Sequence, residues 1–158
     1  MTQPDPDIGQ YYDLVTRVRD QILEFGRATI IVPYDSATGD PTFTYTVGLR
    51  LHDKHRGYEL VTVGLPQNLA KPILDRTVEH LRNASLEPAE GLTLPQVAHT
   101  YPVRLHRVSD CALFINGMRT LRTPTDPQVW QVLVPDKNGV FPGDATYPRD
   151  QLRAQPLL

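Results

Sequence analysis

Tyr45, Thr46, Gly48 and Glu59 are the residues of this chain whose types and spacing could do chemistry together. Tyr45-Thr46-Val47-Gly48 closes one β-prone run, and Glu59 opens the next, Glu59-Leu60-Val61-Thr62-Val63-Gly64. If the two runs are neighbouring strands, these side chains could meet at a sheet end. Glu59 would then serve as a general base or as a hydrogen-bond acceptor for a ligand. The bland alternative needs no ligand. Thr and Tyr are good strand formers, a glutamate at a strand start is usually solvated, and glycine fits a tight bend.

A second polar group is Asp136-Lys137-Asn138-Gly139, with Asp144 close behind. Turn chemistry alone explains Asp, Asn and Gly here, since Asn-Gly accepts positive φ angles. Asp136 and Lys137 nevertheless join the candidate ligand-binding set. Arg104, His106 and Arg107, with Arg119 and Arg122, form the most basic stretch. They could contact an anion, but a solvated strand face with balancing acids explains them as well. His52-Asp53-Lys54-His55 carries an i, i+3 histidine pair. No further ligand completes a metal set, and a polar loop has the same composition, so neither metal nor cofactor is expected. Cys111 precedes Ala112-Leu113-Phe114 and reads as a buried, inert thiol. There is no Gly-x-Ser-x-Gly elbow, Walker loop or Gly-x-Gly-x-x-Gly.

The composition narrows the classes further. At 158 residues the chain has the size of one domain, and roughly 70% of the unfolded surface can be buried at that length. The formal charge is −2, from 16 basic and 18 acidic residues. There is no net basic field to hold a phosphate backbone, which disfavours nucleic acid as a partner. The single cysteine permits no intrachain disulfide and suits a reducing cytosol. The polar, proline-bearing start does not resemble a secretion signal. No apolar run approaches the ~20 residues that cross a bilayer. These features together place the chain in the cytoplasm.

Periodicity supplies the elements. Tyr11, Leu14, Val15, Val18, Ile22 and Phe25 form one helical stripe over 8–25, stopped by Gly26. Ala28–Val32 reads as a strand that forms a hairpin with 42–47. In 42–47 the strict alternation of Phe43, Tyr45 and Val47 with Thr42, Thr44 and Thr46 predicts a half-buried strand with a threonine-lined face. A third strand covers 58–63. A helix follows Pro66 with the stripe Leu69, Ile73, Leu74, Val78 and Leu81. Pro72 is expected to make it restart, because an interior proline removes a bond. Residues 83–95 read as a loop, 101–108 as a strand, 111–118 as a helix or strand, and 129–134 as the last strand. Residues 1–8 are expected to be flexible and 141–158 an extended C-terminal strap on a single domain spanning 1–158.

The motifs Phe43-Thr44-Tyr45-Thr46-Val47-Gly48-Leu49, Tyr58-Glu59-Leu60, Gly64-Leu65-Pro66, Pro135-Asp136-Lys137-Asn138-Gly139 and Phe141-Pro142 resemble, in order and spacing, the bacterial and phage domain-of-unknown-function family 4262. The family pattern often has His-Pro before Glu-Leu, where this chain has Gly57-Tyr58, and tryptophans where it has Val134 and Gly143. The resemblance implies a small cytosolic α+β domain and brings no established activity.

The fold expected is α+β, a curved antiparallel sheet of about five or six strands with two main helices packed on one face. Its core comprises Leu14, Val18, Ile22, Ile30, Tyr45, Val47, Val61, Val63, Leu74, Val78, Leu81, Phe114, Trp130 and Val132. Two function classes fit. One is a binding module for a partner protein or a small anionic ligand, in a setting of phage–host conflict. The other is a small hydrolase using Glu59 or Asp136 with Tyr45. An exposed sheet edge would support a homodimer.

Overall fold

The central strands alternate apolar residues onto both faces of one sheet, and this decides the architecture. The computed structural model describes residues 6–49, 57–98, 100–109, 128–151 and 155–158. Its elements are α1 (Pro6–Phe25), β1 (Ala28–Val32), β2 (Phe43–Val47), β3 (Tyr58–Val63), α2 (Gln67–Asn83), β4 (Thr93–Ala98), β5 (Tyr101–Arg107) and β6 (Gln128–Leu133). The strands form one six-stranded sheet in the order β1-β2-β3-β6-β5-β4. The fold is α+β, as expected. Cys111, Phe114, Arg119, Arg122 and the histidines of 52–55 lie outside the described residues.

Two features differ from the expected layout. The β1–β2 hairpin and three further pairings are antiparallel, but β3 and β6 at the centre run parallel, with Leu60 opposite Trp130. The helices also cover different faces. Tyr58, Leu60, Trp130 and Val132 pack with Ile73, Leu74, Val78 and Leu81 of α2. Val61, Val63 and Val129, their alternates along the same strands, pack with Tyr45, Val47 and Val18 of α1. A strand pair apolar on both faces needs cover on both, which is the usual state of a parallel pair.

β2 is correspondingly not half-buried. Its threonine face lies inside, with Thr44 1% and Thr46 0% exposed. The expected core is otherwise recognisable. Val18, Tyr45, Val47, Val61, Val63, Leu74, Val78, Leu81, Trp130 and Val132 are buried, while Ile22 and Ile30 sit half-buried at its margin. Phe25 leaves the α1 stripe and is 64% exposed.

α2 does not restart at Pro72; it is continuous across it. The carbonyl that loses its partner belongs to Asn68, which is exposed and can bond to water. β4 takes the last three residues of the expected loop, 93–95, and continues to Ala98. It is an edge strand with Pro95 inside, a register shift between Leu94 and Ala98, and Gln96 at φ 54°. Proline is confined to such edges because it cannot donate to a ladder.

The last residues cross the α1 face of β6. Gln131 is fully buried, and its amide donates to Pro156 O at 2.7 Å and accepts from Leu158 N–H at 2.9 Å. Gln155 returns the pattern on Val134, donating to its carbonyl at 2.9 Å and accepting its N–H at 2.8 Å. Two side-chain amides thus take the place of a strand ladder, and Leu158 packs against the α1-face cluster.

Candidate functional site

The structure brings Thr46, Gly48 and Glu59 together. The β2–β3 ladder is regular from Phe43 opposite Val63 to Tyr45 opposite Val61. Beyond it, side chains take over. The Thr46 hydroxyl accepts the Leu60 N–H at 2.9 Å and donates to Glu59 Oε2 at 2.7 Å. Glu59 Oε1 accepts the Gly48 N–H at 2.9 Å. Glu59 is 1% exposed. Both of its oxygens therefore hold the strand end together in a buried setting, where a polar group needs hydrogen-bond partners. A general base must reach a substrate proton, and this carboxylate faces donors of its own chain.

Gly48 is required at this place for two reasons. Its φ is +100°, and a Cβ there would lie 2.9 Å from Ile22 Cγ1 of α1. The bend lets α1 sit close over the end of β2. Tyr45 packs in the α1-face cluster with Val18 and Val61. Burial pushes its phenol above the ordinary tyrosine range, so it is protonated at neutral pH and unsuited to act as a phenolate base.

Asp136 and Lys137 stand elsewhere. β3 and β6 run parallel, with Glu59 paired to Val129 near their start, whereas Asp136 follows the end of β6. The length of β6 separates them, roughly 17–20 Å for a strand of ordinary length. Asp136 Oδ1 accepts the N–H groups of Asn138 at 2.8 Å and Val140 at 2.9 Å, and Gly139 takes φ +78°. The carboxylate organises its own turn. Lys137 is exposed at the tip.

Arg104 and His106 have balancing acids. Arg104 Nη1 meets Asp144 Oδ1 at 2.8 Å, and its guanidinium carbon lies 4.2 Å over the Phe141 ring. Asp144 also accepts the Phe141 N–H at 3.1 Å. That backbone bond, then Arg104, holds the Asp144 carboxyl below its usual range. The Phe141-Pro142 motif therefore has a packing role as a seat for Arg104. His106 Nδ1 lies 2.9 Å from Glu90 Oε1. Partial burial raises the Glu90 carboxyl, but the Arg107 N–H and His106 more than offset this and leave it lowered. A groove of about 410 Å³ beside these pairs is lined by Glu90, Arg104, His106, Leu133, Asp144 and Leu157 among others.

One site had no signal in the sequence. Arg27, the residue before β1, donates to Asp75 of α2 at 2.7 Å, and Lys71 reaches the same carboxylate at 2.9 Å. Burial raises the Asp75 carboxyl, and the two cations bring it below its usual value. These residues line a groove of about 500 Å³ with Gln21, Phe25, Thr29 and Ile31. It runs beside β1, the outer strand of the sheet, whose five residues carry no charge. Forty-eight positions separate Arg27 from Asp75, so only the folded chain joins them. Exposed Leu23 (85%), Phe25 (64%) and Tyr34 (61%) belong to the segments flanking β1.

Among the described residues, no group of His, Cys, Asp or Glu could hold a metal ion. No helix among them is long and apolar enough to cross a membrane. The chain belongs to the domain-of-unknown-function family DUF4262, whose model matches residues 21–148. No curated protein and no solved structure matches the chain.

Proposed function

We propose that this protein is a binding module that engages a partner protein by strand addition at β1. The asymmetry of the two sheet edges carries the reading. β4 is blunted by Pro95, a register shift and a positive-φ residue. β1 reads Ala-Thr-Ile-Ile-Val, has none of these devices, and borders a groove with exposed aromatic residues nearby. Sheets normally protect their edges, and an unprotected edge is a template for another strand. Phage–host conflict, the setting suggested by the family resemblance, is one in which a module of this kind would meet a foreign protein.

The hydrolase reading has weaker support. Glu59 is engaged by Thr46 and Gly48, Asp136 by its own turn, and the two lie at opposite ends of the central strand pair. A small anionic ligand at Arg104 would have to displace Asp144.

The test compares wild type with Thr29→Lys, which puts a charge on the edge as natural sheets do. Capture from a host extract should occur with wild type and be lost with the variant, at unchanged circular dichroism. Equal capture by both proteins would refute strand addition at β1.

A further inference from the structure

We infer that the strand taken up at β1 carries an acidic side chain at the end beside Arg27 and apolar side chains along the rest of its groove-facing side. This rests on the reading of β1 as a docking edge and states the chemistry of its partner. A strand added to β1 turns alternate side chains to opposite faces of the sheet. Those on the side of Thr29 and Ile31 fall along the groove that these two half-buried residues line together with Lys71 and Asp75 of α2.

The charge of that groove is unbalanced. Its charged lining is Arg27, Lys71 and Asp75, two cations on one anion. Asp75 Oδ1 accepts from Arg27 Nε at 3.2 Å and from Nη2 at 2.7 Å, and Oδ2 accepts from Lys71 Nζ at 2.9 Å. One carboxylate cannot occupy all the N–H donors of a guanidinium and an ammonium, and it cancels only one of their charges. Arg104 differs, because Asp144 answers it one to one. The Arg27 side chain is 17% exposed and fixed by its two bonds, whereas that of Lys71 is 59% exposed and can swing onto an incoming carboxylate.

The cations also stand at one end of the edge. Arg27 immediately precedes Ala28, and β1 itself carries no charge. A carboxylate beside Arg27, with apolar side chains opposite Thr29 and Ile31, matches the edge in both charge and polarity. A basic strand would meet the excess positive charge, and a neutral one would leave it unanswered.

Blocked peptides test this, each readable as a strand in either direction. The probe is Glu-Thr-Val-Thr-Val-Thr-Glu, beside counterparts with Gln or Lys in place of both Glu, followed by amide chemical-shift titration to millimolar peptide. The glutamate peptide should shift the β1 amides and bind about fivefold more tightly than the glutamine peptide, the scale of a partly exposed ion pair. The lysine peptide should bind most weakly, and the preference should shrink at high salt. Lys71→Glu, which reverses the net charge of the groove, should reverse the order at unchanged circular dichroism. Equal affinities, an unchanged order in Lys71→Glu, or no binding of the glutamate peptide would overturn the acidic partner. The glutamate peptide N-methylated at every threonine and valine keeps the charge but cannot donate to a ladder, and it should not bind. If it binds as well as its parent, strand addition at β1 fails. If N-methylation abolishes binding while the three unmethylated peptides bind alike, strand addition stands and the acidic partner alone is refuted.

Discussion

Glu59 and Thr46 close the end of the β2–β3 pair through a 2.7 Å bond from hydroxyl to carboxylate, where the backbone ladder has stopped. This makes Glu59 a structural residue. Glu59→Gln turns one acceptor into a donor facing Thr46 or Gly48, and a buried group left without its hydrogen bond costs ~1–3 kcal/mol. Chemical denaturation should show a loss of about 2 kcal/mol. Thr46→Val should lose a similar amount, because Leu60 N–H loses its acceptor, and Thr46→Ser should restore most of it. An unchanged midpoint in Glu59→Gln would return Glu59 to the catalytic candidates.

Gly48 and Ile22 are coupled. Gly48→Ala meets both a positive φ and an Ile22 carbon 2.9 Å away. The left-handed backbone alone costs ~1–2 kcal/mol for a residue with a Cβ, and the overlap adds to it. Adding Ile22→Ala should relieve the overlap and leave the backbone term. Urea titration of both singles and the double gives the coupling. Strict additivity would show that α1 does not press on this bend.

Thr44 and Thr62 face each other in register, each 1% exposed, and neither hydroxyl has a hydrogen-bond partner among the described residues. A buried unsatisfied hydroxyl costs ~1–3 kcal/mol, and replacing both by apolar groups of the same shape removes the penalty. The double variant Thr44→Val/Thr62→Val should raise the melting temperature. A drop would mean that the two hydroxyls serve something in the folded protein.

Acid should loosen the molecule at identifiable places. Asp75, Asp144 and Glu90 all have lowered carboxyl pKa values in the fold. A lowered folded-state pKa stabilises above the unfolded value, roughly 4 for these groups, and this contribution is lost as pH falls through the folded value. Stability should be flat near neutrality and decline below about pH 4. Asp75→Asn should flatten the decline, at a loss near neutrality of about 1 kcal/mol for a partly exposed pair. An unchanged acid limb would remove Asp75 from the account.

The elements were mostly legible in the sequence, because hydrophobic periodicity is local. β1, β3 and the hairpin partner of β1 follow from β-branched runs and turn residues. The layering was less legible. Alternation in Phe43–Val47 suggested one wet face, yet the threonines are buried, because small hydroxyl side chains fit beneath a helix as readily as they face water. The clearer signal was Leu60-Val61-Thr62-Val63, an almost unbroken run that marks burial on both faces. Thr46, Gly48 and Glu59 meet at the strand end, while Tyr45, expected beside them, packs in the α1-face cluster; whether the carboxylate faces a ligand or its own backbone depends on a few ångströms that spacing does not encode. The Arg27–Asp75 groove was invisible, since it joins residues far apart in the chain through tertiary packing.

Amide hydrogen exchange along Ala28–Val32, in the isolated protein and in host extract, tests the role of β1 most directly. Alternate residues of an edge strand point their N–H groups away from the sheet, and these exchange quickly unless another strand covers them. We expect fast exchange of the outward amides of β1 in the isolated protein and their protection in host extract, with no change in β4. Exchange in β1 that stays fast in host extract would contradict the claim that this edge is where the protein binds.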